Sequence, residues 1–153
     1  MSTFEEFLAT VNESERGFVS GLDGFLTENG CECMIKSAKS GFVVSYVRTD
    51  TKKTLMNFVM RKSGLQVRIY AVHAGKYGDF LDTLPEKVKS KTKKSTDCRK
   101  LNGTGDDPKC SGGYEFTMDG EVYRKCRSNA FLIPLSKEND PFIREFLEKE
   151  LGV

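Results

Sequence analysis

CECMIKSAKSGFVVSYVRTDTKKTLMNFVMRKSGLQVRIYAV, residues 31–72, is the stretch whose reading decides the fold. It divides into four strand-like runs separated by short polar connections. Cys31, Cys33 and Ile35 share one face of the first run, residues 31–36, because side chains alternate along a strand with a period of two. Phe42, Val44 and Tyr46 alternate in the second run, and residues 55–61 and 65–72 supply the third and fourth. The connections SAKSG, TDTKK and KSG are too short for a crossover, so neighbouring runs are expected to pair antiparallel, as a four-stranded meander. Val43 and Val47 on the second strand, and Leu55 and Val59 on the third, lie opposite the other apolar set. Both faces of the sheet are therefore expected to be covered over part of their area.

Helical periods flank this sheet. Phe4, Phe7, Leu8 and Val11, then Phe18, Val19, Leu22, Phe25 and Leu26, recur at the spacing of an amphipathic helix. Asn12 with Glu15 three positions later reads as a capping box, and Asn29-Gly30 as a left-handed stop. Phe80, Leu81, Leu84 and Val88 place helix in residues 77–95, with Pro85 opening a second segment at its first turn. Asp119-Gly120 between residues 114–118 and 121–124 is the signature of a hairpin with a type I′ turn. Residues 131–135 are a further strand candidate. Asp140 as N-cap, Pro141 behind it, and the stripe Phe142, Ile143, Phe146, Leu147 and Leu151 predict a terminal helix over 140–151.

The expected fold class is α+β, an antiparallel meander of four strands plus a later hairpin, packed with N- and C-terminal helices. At 153 residues one domain over 1–153 is expected. Its parts are an acidic helical N-terminus (1–30), the sheet (31–72), a helix (77–95), a cysteine loop and hairpin (97–127) and the terminal helix (140–151). Apolar residues are 38% and charged residues 30%, a composition of folded rather than disordered or membrane chains. The N-terminal stretch MSTFEEFLATVNESE reads neither as a secretion signal nor as a membrane span, which predicts a cytoplasmic protein.

Net charge is only +2, but it is unevenly spread. Residues 1–35 carry seven acidic groups against Arg16, residues 136–153 five against three, and residues 36–135 hold 20 basic against 10 acidic. A basic centre between acidic ends suits internal pairing, a solvated lysine face or an anionic partner. Lys87, Lys89, Lys91, Lys93, Lys94, Arg99 and Lys100 are the run that would meet phosphates, which makes a nucleic-acid-associated accessory protein using residues 87–100 one reading. The run lacks interleaved aromatics and any base-reading spacing. No G-x-x-x-x-G-K-[ST] or G-x-G-x-x-G occurs, so nucleotide binding has no support.

Five cysteines without an export signal argue for reduced thiols or a metal rather than a disulfide framework. Cys98, Cys110 and Cys126 each have a basic neighbour in sequence, and nearby cations favour the thiolate, the form that attacks and that binds metal. Residues 97–113 contain almost nothing apolar, and a loop of that length in a compact domain needs something specific to hold it. A zinc on Cys98, Cys110 and Cys126, with His73, Cys31 or Cys33 as fourth ligand, would do so. The intervals contain no C-x-x-C, so packed thiols and a redox pair of Cys98 with Cys126 stand beside the metal. A cysteine nucleophile with His73, the only histidine, as its base is the enzymatic alternative.

The segments SGFVVSYVRTDTKKTLMNFVMRKSGLQVRIY, CRKL, DPKCSGGYEF and YRKCRSNAF resemble a family of small bacterial proteins that has no established activity. The resemblance implies that Cys98, Cys110 and Cys126 are the family's own cysteines. In layout, the helix, meander and closing helix are similar to the YdhG-like and MmcQ/YjbR-like α+β domains, some of which are regarded as binding modules. The leading expectation is a cytosolic binding or sensing module, without catalysis, carrying a structural metal or thiol site.

Overall fold

The computed structural model describes residues 3–38, 41–62, 64–98, 113–127 and 129–152, with Ala38 as backbone only. Among them are five α-helices and seven strands, the expected α+β class. In chain order these are α1 (Phe4–Thr10), α2 (Glu13–Glu28), β1 (Cys31–Ala38), β2 (Gly41–Arg48), β3 (Thr54–Arg61), β4 (Gly64–Ile69), α3 (Gly78–Leu81), α4 (Glu86–Lys93), β5 (Tyr114–Met118), β6 (Glu121–Lys125), β7 (Leu132–Pro134) and α5 (Asp140–Leu151). The chain gathers into two compact units, Met1–Ile69 with Ile133–Arg144, and Tyr70–Leu132 with Glu145–Val153. No helix among the described residues is long and apolar enough to cross a membrane.

The first unit is built on the expected meander. Cys31 pairs with Arg48 and Ala38 with Gly41, Val44 with Phe58, and Phe58 with Val67, all antiparallel. β7 lies next to β4 and makes the sheet five-stranded, in the order β1-β2-β3-β4-β7. β4 stops at Ile69, short of the expected residue 72, where Val72 N–H turns back to the Tyr70 carbonyl. Val44, Tyr46, Met56, Phe58, Val67 and Ile69 form the buried face, together with Phe7 of α1 and Val19, Leu22 and Leu26 of α2. The Phe7 ring sits 5.5 Å from Phe58 and 6.1 Å from Phe42. On the second face Leu55 and Gln66 are buried, whereas Met34 and Val43 are 44% and 49% exposed. Coverage of that face is thus partial, as the mixed pattern of apolar residues indicates.

Capping follows the sequence in part. Asn12 Oδ1 accepts the Ser14 N–H, and Gly30, at φ +85°, supplies the left-handed stop after α2. Asp140 departs from its expected capping role, because its Oδ1 accepts the Ser136 N–H at 3.0 Å and the Asn139 carbonyl takes the first helical bond, from Ile143. Burial and the neighbouring Glu15 carboxyl push the Asp140 carboxyl up to about 7. Glu15 therefore meets Asp140 on its side-chain end.

The second unit is organised around aromatic rings. Phe131 lies 5.0 Å from Phe116 and 4.9 Å from Phe146, which in turn meets Phe80 at 5.5 Å and Tyr77 at 5.9 Å. Tilted and edge-on contacts of this kind add to the area the rings bury. β5 alternates as expected, with Tyr114, Phe116 and Met118 buried. Asp119 at φ +51° and Gly120 at +83° are the two left-handed residues that a type I′ turn requires.

Candidate functional site

The cysteine-bearing segment begins with an isolated antiparallel bridge to β6. Cys98 N–H donates to the Arg124 carbonyl at 2.9 Å and Cys126 N–H to the Thr96 carbonyl at 2.7 Å, which makes Asp97 and Lys125 an antiparallel pair. Their side chains meet, with Lys125 Nζ 2.7 Å from Asp97 Oδ1 and 3.1 Å from the Ser95 carbonyl. Cys98 and Cys126 thus flank the Asp97–Lys125 pair, one in each of the two bridged segments. Cys98 is buried and its Sγ accepts the Gly113 N–H at 3.3 Å. Gly113 is required there, since a Cβ would collide with the carbonyl oxygen of Lys125. The backbone just before residue 99 and just after residue 112 is thus fastened to the same strand.

Cys110, the third cysteine, lies outside the described residues, as do Arg99 and Lys100. Among the described residues no disulfide forms, and no three or more of His, Cys, Asp and Glu are grouped to hold a metal ion. Cys31 and Cys33 belong to β1 in the first unit. Burial pushes both thiols up, away from the thiolate form, and Cys33 sits by Tyr46, whose hydroxyl donates to Asp23 Oδ1 at 2.7 Å.

His73 belongs to a second cluster, held by Glu150 of α5. Its Nδ1 is 2.6 Å from Glu150 Oε2, and its backbone N–H reaches Glu150 Oε1 at 3.2 Å. The Tyr77 hydroxyl donates to Oε1 at 2.5 Å. Three donors on two oxygens are the pattern that suits a carboxylate, which can only accept, so Nδ1 turns its hydrogen toward Glu150. The Glu150 side chain is 1% exposed and the His73 side chain 35%. A buried carboxylate thus orients an imidazole that is partly open to solvent, the arrangement found behind metal-bound and general-base histidines. Burial and the Glu150 carboxylate push the Tyr77 phenol well above its ordinary range.

The basic run is divided by the fold. Lys89 Nζ lies 3.1 Å from Asp119 Oδ1, the Asp82 carbonyl and Glu86 Oε1, and Lys93 Nζ 2.7 Å from Asp119 Oδ2. These bonds raise both ammonium groups and hold the Asp119 carboxyl below the usual carboxylate range. Lys87, Lys91 and Lys94 recur at i, i+4 and i+7 and stand exposed on one face of the α4 segment. The first unit has two adjoining hollows of about 300 and 470 Å³, sharing Thr10, Met60 and Leu65. One is lined by Phe7, Phe42 and Phe58, the other is flanked by Glu15, Arg61 and Gln66.

Sequence reasoning singled out His73 but missed its partner. Glu150 stands seven residues after Ile143 and four after Phe146, in line with the apolar stripe of α5, and that position was the available signal. Gly113, Tyr77 and the carboxylate of Asp119 were missed because their roles depend on residues distant in sequence. No family model, no curated protein and no solved structure matches the chain.

Proposed function

We propose that the protein is a cytosolic binding or sensing module without catalysis, in which Cys98, Cys110 and Cys126 form a structural metal or thiol site. The observation that supports this reading is the backbone pairing in which Cys98 and Cys126 flank one bridge, with the Gly113 N–H directed at the Cys98 sulfur. Thiolate donors with an N–H bond to sulfur suit zinc, which would tie down a segment poor in apolar residues and offset its ordering cost. The hollows of the first unit fall within the size range of small-molecule sites, which fits a binding role. Zinc measured on untagged protein, together with a thiol titration, tests the site. About one zinc per chain, lost in Cys98→Ser and Cys126→Ser, is expected; no metal and five freely titrating thiols would overturn it.

A second reading, a thiol enzyme with His73 as base, draws on the Glu150–His73 contact. If His73 serves Cys126, alkylation of Cys126 by iodoacetamide at pH 6 to 7 slows about tenfold in His73→Ala. An unchanged rate removes this reading.

A further inference from the structure

β1 is an edge strand: among the described residues it has β2 on one side and no strand on the other. It is eight residues long, contains no proline, and pairs with β2 without a bulge. Such an edge is a template for another strand unless charge, proline or a bulge blunts it.

The direction of its outward hydrogen-bonding groups follows from the ladder. Thr49 N–H donates to the Gly30 carbonyl at 2.9 Å, which makes Cys31 and Arg48 a pair without mutual hydrogen bonds. Cys31, Cys33 and Ile35 therefore direct their backbone groups away from β2. A second strand must bond to these odd-numbered residues, which limits antiparallel self-pairing to registers centred on single residues such as Cys33, Met34 or Ile35.

Side chains choose among them. Glu32, Met34 and Lys36 are exposed on the same face. Centred on Cys33, Glu32 faces Met34 of the second copy; centred on Ile35, Lys36 does. Centred on Met34, Glu32 of each copy faces Lys36 of the other, Cys33 and Ile35 exchange hydrogen bonds, and the two Met34 side chains meet on the axis. Opposite charges directly across an antiparallel pair are stabilising and like charges are not. This register also covers Met34, and it lies diagonal to Val43, the other large exposed apolar residue of this face of β1 and β2.

We infer that β1 is a homodimerisation edge, at which two copies of this chain pair antiparallel about Met34 and join their sheets. The contact is isologous, so it closes at two copies. One strand pair buries less than the roughly 1,200 Å² at which stable interfaces begin, so a reversible dimer with a dissociation constant on the order of micromolar is expected.

Sedimentation equilibrium of the full chain at low salt tests this. Glu32→Lys sets two ammonium groups against each other at the Lys36 position, and Lys36→Glu sets two carboxylates together, so each raises the dimer dissociation constant about tenfold or more. The double variant Glu32→Lys/Lys36→Glu restores both pairs and returns dimerisation to within about threefold of the original. Mixing the two single variants gives a heterodimer. A chain that stays monomeric at about 0.5 mM, single variants that dimerise unchanged, or a double variant that does not recover would each overturn the inference. Both substituted positions are exposed, and circular dichroism checks that the variants fold.

Discussion

The two units solve the problem of a closed core differently. The first unit's buried apolar side chains lie mainly on a sheet and two helices with plain periods, and Gln66 is its only buried polar residue among those described. The second unit buries Lys89, Thr92, Lys125 and Glu150. Its elements are short, from three to twelve residues, and charged groups join several of them: Asp119 to α4, Lys125 to the segment at Asp97, Glu150 to His73 and Tyr77. Short elements bury little apolar area per element, so specific polar contacts set their arrangement. The difference teaches that a regular apolar pattern is enough for the sheet, whereas the site-bearing unit depends on pairs that must be satisfied together.

Glu150→Ala should break the comparison most. Leaving His73 and Tyr77 without their acceptor is expected to cost about 3–5 kcal/mol in urea denaturation, with hydrogen exchange rising in residues 70–98 and 113–127. A cost under about 1.5 kcal/mol would mean that the rings alone hold the unit. Leu22→Ala, which removes apolar volume from the first unit's core, should cost about 2–4 kcal/mol and raise exchange in the sheet instead.

Gly113→Ala comes next, at about 2–3 kcal/mol, because the added methyl meets backbone rather than a flexible side chain. Loss of protection at the Cys98 amide would accompany it. A neutral Gly113→Ala would show that the pairing of residues 96–98 with β6 yields easily.

Asp140→Asn sharpens the contrast from the side of the first unit, where a carboxyl pair is the exception. The folded carboxyl, at about 7, lies above the value of about 3.9 in unfolded chains. The stabilisation that protonation brings is therefore whole below about pH 4 and is lost as pH rises through about 7. Asn keeps an acceptor for the Ser136 N–H and removes the repulsion with Glu15. After allowing for solvent screening, Asp140→Asn should be more stable than the original by about 1–2 kcal/mol at pH 8 and equal to it at pH 4. Parallel pH profiles for the two proteins would refute the pairing.

The smallest effect is expected at Tyr114, whose buried hydroxyl has no hydrogen-bond partner among the described residues. Tyr114→Phe should change stability by less than about 0.5 kcal/mol, since no pair is broken. A loss above about 1.5 kcal/mol would reveal a partner and extend the polar network of the second unit.

Much of the fold was legible because the local signals agree. Alternation placed β1 to β3 within two residues of their ends, Asp119-Gly120 placed the β5–β6 turn, and Pro85 divided α3 from α4. β4 ended early because the turn at residues 70–72 has no sequence period. The capping box at Asn12 was half realised, since Glu15 turned to a carboxyl contributed by residue 140. Of the site, Cys98 and Cys126 were legible as a pair sharing a segment, while Cys110 lies outside the described residues. Their places beside one bridge were not legible, because the pairing of residues 97 and 125 joins segments distant in sequence. The basic run of residues 87–100 looked uniform in sequence. Only the position of Asp119 divided Lys89 and Lys93 from Lys87, Lys91 and Lys94.

By itself the sequence determined the α+β class, the meander, the type I′ hairpin and the terminal helix, since each follows from side-chain period or turn chemistry within a few residues. The tertiary structure decided which charges are internal, that Glu150 orients His73, that Gly113 must lack a side chain, and that β1 is an edge with Glu32 and Lys36 placed symmetrically about Met34. These depend on groups up to 77 residues apart, and no local pattern records which distant partner will satisfy a polar group once water is excluded.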